Sequence, residues 1–187
     1  MGKFVIAGLD PSLSNFGMVK GALDLHSGTL SDMIIALSES PPIKAKKAIR
    51  QNTLDLQRAR LHYKAMTVFL SNVNMVCIEI PVGSQSARSM ASYGICVGIL
   101  SSIGKPIIQV TPAEVKIAAT NSKTASKELM IDWATNKYPD LPWLTNTRKG
   151  VKTYANKNEH IADALAAIYA GVRTDEFEQA RSLLITN

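Results

Sequence analysis

The chain has 187 residues, of which 46% are hydrophobic and 19% charged, so we expect one globular domain over residues 1–187 rather than a disordered or repetitive chain. No apolar run reaches the ~18 residues of a membrane span, and no secretory signal follows Met1, which predicts a cytoplasmic protein without a membrane partner. The formal net charge of +6 favours an anionic partner, with nucleic acid as the leading candidate.

The first 40 residues predict a three-stranded antiparallel meander. Residues 4–9 form an apolar run that ends at Asp10, and a loop rich in Pro, Ser and Asn follows. Two further apolar stretches, 17–25 and 30–38, are separated by a compact His-Ser-Gly turn. A carboxylate at the end of a buried strand needs a partner or a chemical role, because burying it alone is costly.

The middle of the chain alternates helical and strand patterns. Residues 45–71 have helical spacing, and 75–80 form an apolar run that Glu79 interrupts near its end. A polar segment then leads into a helix over 93–100, in which Gly94 and Gly98 lie one turn apart and predict close packing against another element. Residues 106–110 predict a further strand, and the Thr-Pro-Ala-Glu after it is a capping box with Pro112 at the first helical position.

The last third of the chain is predicted to be mainly helical. Helices are expected over 126–138, 158–170 and 174–185. The segment 139–157 between the first two has the weakest pattern, and loops of that length are usually functional or disordered. The whole order predicts an α/β fold in which an antiparallel meander is joined to parallel crossover units.

Basic residues concentrate in two parts of the chain. One group comprises Lys44, Lys46, Lys47, Arg50, Arg58 and Arg60, and the other comprises Lys123, Lys127, Lys137, Arg148, Lys149, Lys152 and Lys157. Such clusters neutralise phosphates and release counterions, which favours nucleic acid as the partner. A basic surface that is simply solvated would give the same pattern.

Three acids and one histidine carry the chemistry that the sequence suggests. Asp10 and Glu79 end strands that would be neighbours, while His160 and Asp163 share one face of a helix. Each residue alone is explained by a turn, a strand edge or a helix start. Taken together, three clustered carboxylates repel one another, and divalent cations are the simplest remedy. Two Mg²⁺ or Mn²⁺ ions ~4 Å apart could hydrolyse a phosphodiester, so the set predicts a nuclease site.

Four segments of the sequence resemble the RuvC-type Holliday junction resolvases in order and approximate spacing. They are GLDPSLSNFG, VCIEIPVG, TPAEVK followed by KTASKELM, and HIADALAAIYA, and the resemblance extends from about residue 3 to residue 170. It implies an RNase H-like fold with a five-stranded mixed sheet flanked by helices, and a homodimer of bacterial or phage origin. The implied activity is paired nicking of four-way DNA junctions in recombination and repair, with two Mg²⁺ ions per active site and Mn²⁺ as a possible substitute.

The resemblance also assigns roles to individual residues. Asp10, Glu79 and Asp163 would bind the metal ions, with His160 at the fourth position, where some members have Asp and others His. Asp10 would bridge both ions, because it comes from the central strand. The expected catalytic and metal-binding set is therefore Asp10, Glu79, His160 and Asp163.

The expected DNA contacts come partly from the family pattern and partly from charge. Lys116 and Lys127 lie where the family has basic residues near the scissile phosphate, and exposed helix lysines would look the same. The loop after Glu79 lacks the aromatic residue that bacterial members stack at the junction, which leaves Gln85 and Arg88 as candidates there. The remaining expected contacts are Lys123, Arg148 and Lys149; Trp143, near the last two, is either a packing anchor or a DNA-facing aromatic.

Three alternatives remain open from the sequence. The protein could bind branched DNA without cutting it, although such a protein has no reason to keep clustered acids. It could be a nuclease of broader specificity, acting on flaps, forks or R-loops. An actin-like or sugar-kinase ATPase shares the strand, acid and Ser/Gly start, but it needs a second phosphate loop in a second domain, so we expect no nucleotide cofactor.

Overall fold

A five-stranded mixed sheet lies at the centre of the computed structural model, which describes residues 3–40, 50–80, 83 and 86–186. Its strands are β1 (Phe4–Asp10), β2 (Asn15–Leu23), β3 (Leu30–Glu39), β4 (Met75–Glu79) and β5 (Ile107–Val110), in the spatial order β3-β2-β1-β4-β5. The first three strands pair antiparallel, whereas β1, β4 and β5 run parallel. The predicted meander and the two added parallel strands are therefore confirmed, with β1 at the centre.

Helices cover both faces of this sheet. They are α1 (Gln51–Phe69), α2 (Ala87–Leu100), α3 (Pro112–Thr120), α4 (Lys127–Lys137), α5 (Asn158–Gly171) and α6 (Asp175–Thr186). Alternate residues of β1 point to opposite faces, so Ile6 packs with α3, α4 and α5, while Ala7 packs with α1 and α2. Within the described residues, no helix is long and apolar enough to cross a membrane.

Local side-chain chemistry decides where two of the helices begin. The Thr111 side chain accepts from the Glu114 amide, and the Glu114 carboxylate accepts from the Thr111 amide, which is the capping box predicted for α3. Helix α2 starts at Ala87, earlier than predicted, because the Ser86 hydroxyl accepts from the Ser89 amide and caps it. Much of the segment predicted to be polar loop is therefore helix.

The segment 139–157, predicted to be irregular, contains a β-hairpin. Its strands β6 (Thr145–Arg148) and β7 (Val151–Tyr154) pair antiparallel, and all eight residues are exposed. Lys149 and Gly150 form the turn, with φ of 50° and 80°, values typical of a tight hairpin turn. The sequence pattern missed this hairpin because neither strand has an apolar face, and apolar alternation is the main strand signal.

Two glycines let α5 lie unusually close to the sheet. A Cβ atom at Gly8 would lie 1.9 Å from the Ala164 carbonyl oxygen, and one at Gly17 would lie 2.0 Å from the His160 carbonyl oxygen. Gly17 is also the residue of β2 that pairs with Asp10. Because these positions have no side chain, the first turn of α5 can rest on the end of β1 where Asp10 lies.

Candidate active site

The three acids and the histidine meet at one edge of the sheet. Asp10 and Glu79 are the last residues of the parallel neighbours β1 and β4, in which Leu9 pairs with Ile78. Helix α5 runs across this edge, and His160 in its first turn donates a hydrogen bond from Nδ1 to Asp10 Oδ2 at 2.6 Å if that nitrogen carries the proton.

Asp163 lies one turn beyond His160 on α5, close enough for its charge to act on Glu79. Its Oδ1 atom is buried and has no hydrogen-bond partner among the described residues. A buried oxygen without a donor is costly in a native protein and calls for an explanation. A cation at this edge of the sheet would satisfy it.

Burial and mutual repulsion change the acidity of these carboxylates. Burial, followed by the charges of Asp10 and Asp163, raises the pKa of Glu79 to about 8. Burial and then the charge of Asp10 raise the pKa of Asp163 to about 7, against the opposing charge of His160. Two carboxyl groups that resist ionisation beside a third are a high-energy arrangement, which a bound cation would relieve.

His160 lies between two carboxylates. Burial lowers its pKa, but the hydrogen bond to Asp10 and the charges of Asp10, Glu159 and Asp163 outweigh burial, so the net shift is upward. On the far side of the ring, Nε2 lies 3.5 Å from Glu159 Oε1. The structure therefore favours a protonated imidazole at this position.

Glu159 and Lys127 extend the cluster outward. Lys127 Nζ lies 2.9 Å from Oε1 and 2.7 Å from Oε2 of Glu159, whose side chain is only 16% exposed. Glu159 is a member of the site that the sequence analysis did not select. Its position beside His160 in the Glu-His pair was the available signal, but an acid in the first turn of a helix is common enough to pass unnoticed.

The donor set suits a hard divalent cation, because carboxylate oxygens are the ligands that Mg²⁺ and Mn²⁺ prefer. In the part of the chain that the structure describes, however, no group of three or more His, Cys, Asp or Glu side chains is arranged to hold a metal ion. The orphaned Asp163 oxygen and the raised pKa of Glu79 fit a cation in chemical terms. Ligation would require side-chain movement from the positions described.

The basic candidates nearest the acids lie on α3 and α4. Lys116, half-buried on α3, carries a charge that lowers the pKa of both Glu79 and Asp163, which opposes the effect of burial. Lys127, the first residue of α4, is held by Glu159, and this pairing raises its pKa. Lys123 is exposed in the loop between the two helices.

Arg88 occupies a different environment from the one the sequence suggested. It lies in the first turn of α2, and its guanidinium donates two hydrogen bonds, of 2.5 and 2.7 Å, to the buried carboxylate of Asp55 on α1. These hydrogen bonds lower the pKa of Asp55. The pair joins α1 to α2, so the guanidinium of Arg88 already has a partner within the protein. A DNA contact by Arg88 stays a prediction. Gln85 lies outside the described residues.

Arg148 and Lys149 lie at the tip of the β6–β7 hairpin, fully on the surface. The hairpin is therefore a separate basic element and not part of the acid cluster. Trp143, just before it, is 7% exposed and donates from Nε1 to the Tyr138 carbonyl oxygen at 2.8 Å, as expected of a packing anchor. Of the other basic residues, Lys44, Lys46 and Lys47 lie outside the described residues.

Comparison with solved structures identifies the fold. The Thermus thermophilus RuvC structure matches with a TM-score of 0.60 at 18% sequence identity, covering 96% of this chain and 97% of that one. T. thermophilus RuvC in complex with a Holliday junction substrate matches with a TM-score of 0.57, also at 18% identity, covering 96% of each chain. No protein-family model and no curated protein matches the sequence.

These matches define the class of fold: the chain has the RNase H-like fold of RuvC over nearly its whole length. The fold predicted from the four segments is confirmed. In the present chain, four side chains lie together at the edge of the sheet where β1 and β4 end: Asp10, Glu79, His160 and Asp163.

Proposed function

We propose that the protein is a metal-dependent endonuclease that resolves four-way DNA junctions by paired nicking. The observation that carries this proposal is the cluster of Asp10, Glu79 and Asp163 at the open edge of a RuvC-type sheet, with the pKa of Glu79 raised to about 8 and that of Asp163 to about 7. A binding protein gains nothing from acids that destabilise one another, whereas a cation-dependent hydrolase needs them.

The residues that would hold the metal are Asp10, Glu79 and Asp163. His160, the fourth residue of the set, would join them only as a neutral imidazole and would otherwise transfer a proton. Mg²⁺ is the expected ion, with Mn²⁺ as a substitute and two ions per site. When bound, such ions activate water and stabilise the leaving 3′ oxygen of the phosphodiester. Asp163 Oδ1, which lacks a donor in the described residues, would gain a partner.

The other side chains of the site hold protons and position charge. His160 keeps a proton on Nδ1 through Asp10 and is the group from which a proton could pass to a leaving oxygen. The charge of Lys116 acts on Glu79 and Asp163, so its ammonium lies near the acids, where it would also stabilise a bound phosphate. Lys127 would exchange Glu159 for phosphate as DNA arrives.

Branched DNA is the proposed partner. T. thermophilus RuvC, whose fold this chain has, has been solved with a Holliday junction substrate. The net charge of +6 suits a polyanion, and the exposed Lys123, Arg148 and Lys149 offer phosphate contacts outside the acid cluster. We further propose that residues 1–187 act as one nuclease domain in the cytoplasm.

A homodimer is part of the proposal, because paired nicks on a four-way junction require two active sites. Helix α2 offers a surface for it. Gly94 and Gly98 were expected to permit close packing, yet nothing in the described chain lies within 4 Å of a Cβ atom placed at either. The neighbouring exposed residue Val97 makes this an apolar, shallow helix face that a second copy of α2 could approach.

A cleavage panel tests the proposal. The protein is incubated with a synthetic four-way junction, a flap and a linear duplex, with Mg²⁺, with Mn²⁺ or with chelator. We expect symmetric nicks in opposite strands of the junction with either metal, and no nicking with chelator or on the duplex. Equal cleavage of flaps and junctions would show that the protein is a nuclease of broader specificity and not a dedicated resolvase.

A non-cleaving branched-DNA binder is the second candidate, favoured by the lack of a ready three-ligand metal group among the described residues. It predicts tight junction binding with no nicks under any metal. Isothermal titration with Mn²⁺ separates the two, because the nuclease takes up metal at the acid cluster and Glu79→Gln weakens that uptake. Absence of both metal uptake and cleavage would favour the binder.

A further inference from the structure

A groove separates the β6–β7 hairpin from the chain segment that precedes it. It has a volume of about 410 Å³ and is lined on one side by Pro139, Pro142 and Trp143, and on the other by Lys152 and Tyr154. This volume is at the low end of the ~300–1,000 Å³ of small-ligand sites. The groove therefore has room for a single planar group and not for a duplex.

The chemistry of the lining points to a nucleobase with its phosphate. Tyr154 is 45% exposed and, with the two prolines, presents apolar surface on which a base can stack, whereas Trp143 is only 7% exposed. Lys152 brings a positive charge to the same groove, and the hydroxyl of Thr153 is also on its lining. Aromatic surface beside a cation is the usual combination for single-stranded nucleic acid.

Charge around the groove favours DNA over other occupants. Between residues 139 and 158 the sequence has four basic residues, Arg148, Lys149, Lys152 and Lys157, and one acidic residue, Asp140, which lies between the groove residues Pro139 and Leu141. Lys157 pairs with Glu39, whereas the other three make no ion pair with any described residue. Lys152 on the groove lining, together with Arg148 and Lys149 on the same hairpin, outweighs the charge of Asp140 and complements a phosphate backbone.

The hairpin is fixed relative to the acid cluster, although an isolated two-stranded hairpin is marginally stable. The fully buried Asn158 donates from Nδ2 to the Leu144 carbonyl oxygen at 2.8 Å, and its Oδ1 accepts from the Leu144 amide at 3.0 Å. The Ala155 amide also donates to the Leu144 carbonyl oxygen at 2.9 Å. Asn158 is two residues before His160, so the base of the hairpin and the start of α5 form one unit.

We propose that this groove binds one unpaired base of the DNA strand that is to be cut, with Tyr154 as the stacking platform and Lys152 on the adjacent phosphate. The proposal rests on the proposed nuclease function and supplies it with a base-stacking aromatic, which the loop after Glu79 lacks. Tyr154 and His160 are six residues apart, which spans at most ~20 Å. At ~3.4 Å per nucleotide of a duplex strand, this backbone span corresponds to about six nucleotides, so we expect the stacked base to lie near the nick.

Fluorescence of 2-aminopurine tests the proposal. Junctions carry the probe at each of the six positions on either side of the nick, and binding is followed with the Asp10→Asn chain in Mg²⁺ so that the DNA stays intact. We expect the fluorescence at one position to change on binding as the base leaves its neighbours and stacks on Tyr154. Tyr154→Ala should abolish this change and weaken binding of a single-stranded probe about five- to a hundredfold.

Matched variants separate stacking from general effects. Tyr154→Phe should keep the signal, and Tyr63→Ala, which removes a comparably exposed tyrosine from α1, should leave it unchanged. Lys152→Gln should reduce the slope of log affinity against log salt concentration for single-strand binding by about 0.7. Lys105→Gln, at the opposite end of β5 from the acids, should not.

The outcomes distinguish the groove from the nuclease. The junction could be nicked normally while the 2-aminopurine signal and the affinity do not depend on Tyr154. That result would overturn the proposed base site in the groove but not the proposed resolvase activity. A Tyr154-dependent signal in a protein that never nicks would support the groove and overturn the nuclease. Tyr154-dependent binding of a proline-rich peptide without any effect on DNA would overturn the groove as a nucleotide site.

Discussion

The acid cluster and the β6–β7 hairpin contrast in burial and in charge, although only a few residues of chain separate them. In the cluster, burial and repulsion raise the pKa of Glu79 and Asp163, and the side chains depend on one another. In the hairpin, every residue is exposed, and Arg148 and Lys149 make no ion pair with a described residue. The contrast separates two tasks: strained, coupled groups suit chemistry, whereas exposed, additive charges suit recognition.

The two regions should consequently respond to mutation in opposite ways. Changes in the cluster should affect the reaction strongly and can even stabilise the fold, since the wild-type acids destabilise each other. Changes in the hairpin should affect DNA affinity in small, nearly additive steps and leave the melting temperature unchanged.

The largest expected effect is that of Asp10→Asn. The substitution removes the charge of a proposed metal ligand and leaves only a neutral amide oxygen to accept the His160 hydrogen bond, so junction nicking should fall at least about a thousandfold. Junction binding in a gel-shift assay should persist. Asp132→Asn, an exposed acid on α4, is the control and should nick at the normal rate. Cleavage by the Asp10 variant near the wild-type rate would contradict the assignment of the site.

Gly17→Ala should disturb the cluster through packing. The added Cβ atom would meet the His160 carbonyl oxygen, so α5 must move away from the sheet at a cost of roughly 1–3 kcal/mol in the free energy of unfolding. Denaturant unfolding measures this cost, and nicking should fall with it. Gly104→Ala is the matched change, because nothing lies within 4 Å of a Cβ atom there, and it should be tolerated.

Glu79→Gln should stabilise the protein at high pH. The pKa of Glu79 is near 8 in the folded protein, above its usual 4.5, so the folded state retains a proton that the unfolded state has lost. Wild-type stability should therefore fall as pH rises from about 4.5 to 8. The variant lacks the contribution of Glu79 to this dependence but keeps that of Asp163, and it should be more stable at pH 8.5 by on the order of 1–2 kcal/mol.

Added Mg²⁺ sharpens that prediction. It should raise the wild-type melting temperature at pH 8.5, because binding to the native acids offsets their repulsion, and it should raise that of Glu79→Gln less. Thermal unfolding at several pH values checks both statements. An equal rise in melting temperature for the two proteins on addition of Mg²⁺ would show that Glu79 does not bind the metal.

The smallest expected effects are those of Arg148→Gln and Lys149→Gln in the hairpin. Each should weaken junction binding less than about tenfold and reduce the slope of log affinity against log salt by about 1. The melting temperature should not change, since both side chains are exposed. A strong loss of stability in either variant would mean that its side chain makes contacts beyond those of an exposed surface residue.

Much of the fold could be predicted from local patterns. The apolar runs located all five strands of the main sheet, and the Thr-Pro-Ala-Glu motif located the start of α3. The hairpin was missed because its stability comes from the Asn158 clamp and not from an apolar face. The glycine pair of α2 was expected to allow close packing against a strand or another helix, but no described atom fills that space.

The four residues of the acid cluster could be selected from the sequence, but their contacts could not, and their role as an active site stays a prediction. Asp10, Glu79, His160 and Asp163 stand out in sequence because acids and a histidine interrupt apolar elements. Glu159 did not stand out, since only the approach of α4 pairs it with Lys127. Likewise Arg88 appeared free for DNA, and only the packing of α1 against α2 brings it to Asp55.

The sequence by itself determined the strand and helix order, the basic charge and the acids at the strand ends, because these depend on local periodicity and composition. The tertiary structure alone decided how close α5 lies to β1 and which cations are already paired. It also decided which carboxyl groups are held above their usual pKa. Those properties come from contacts between residues far apart in the chain, where burial and distance set the energies.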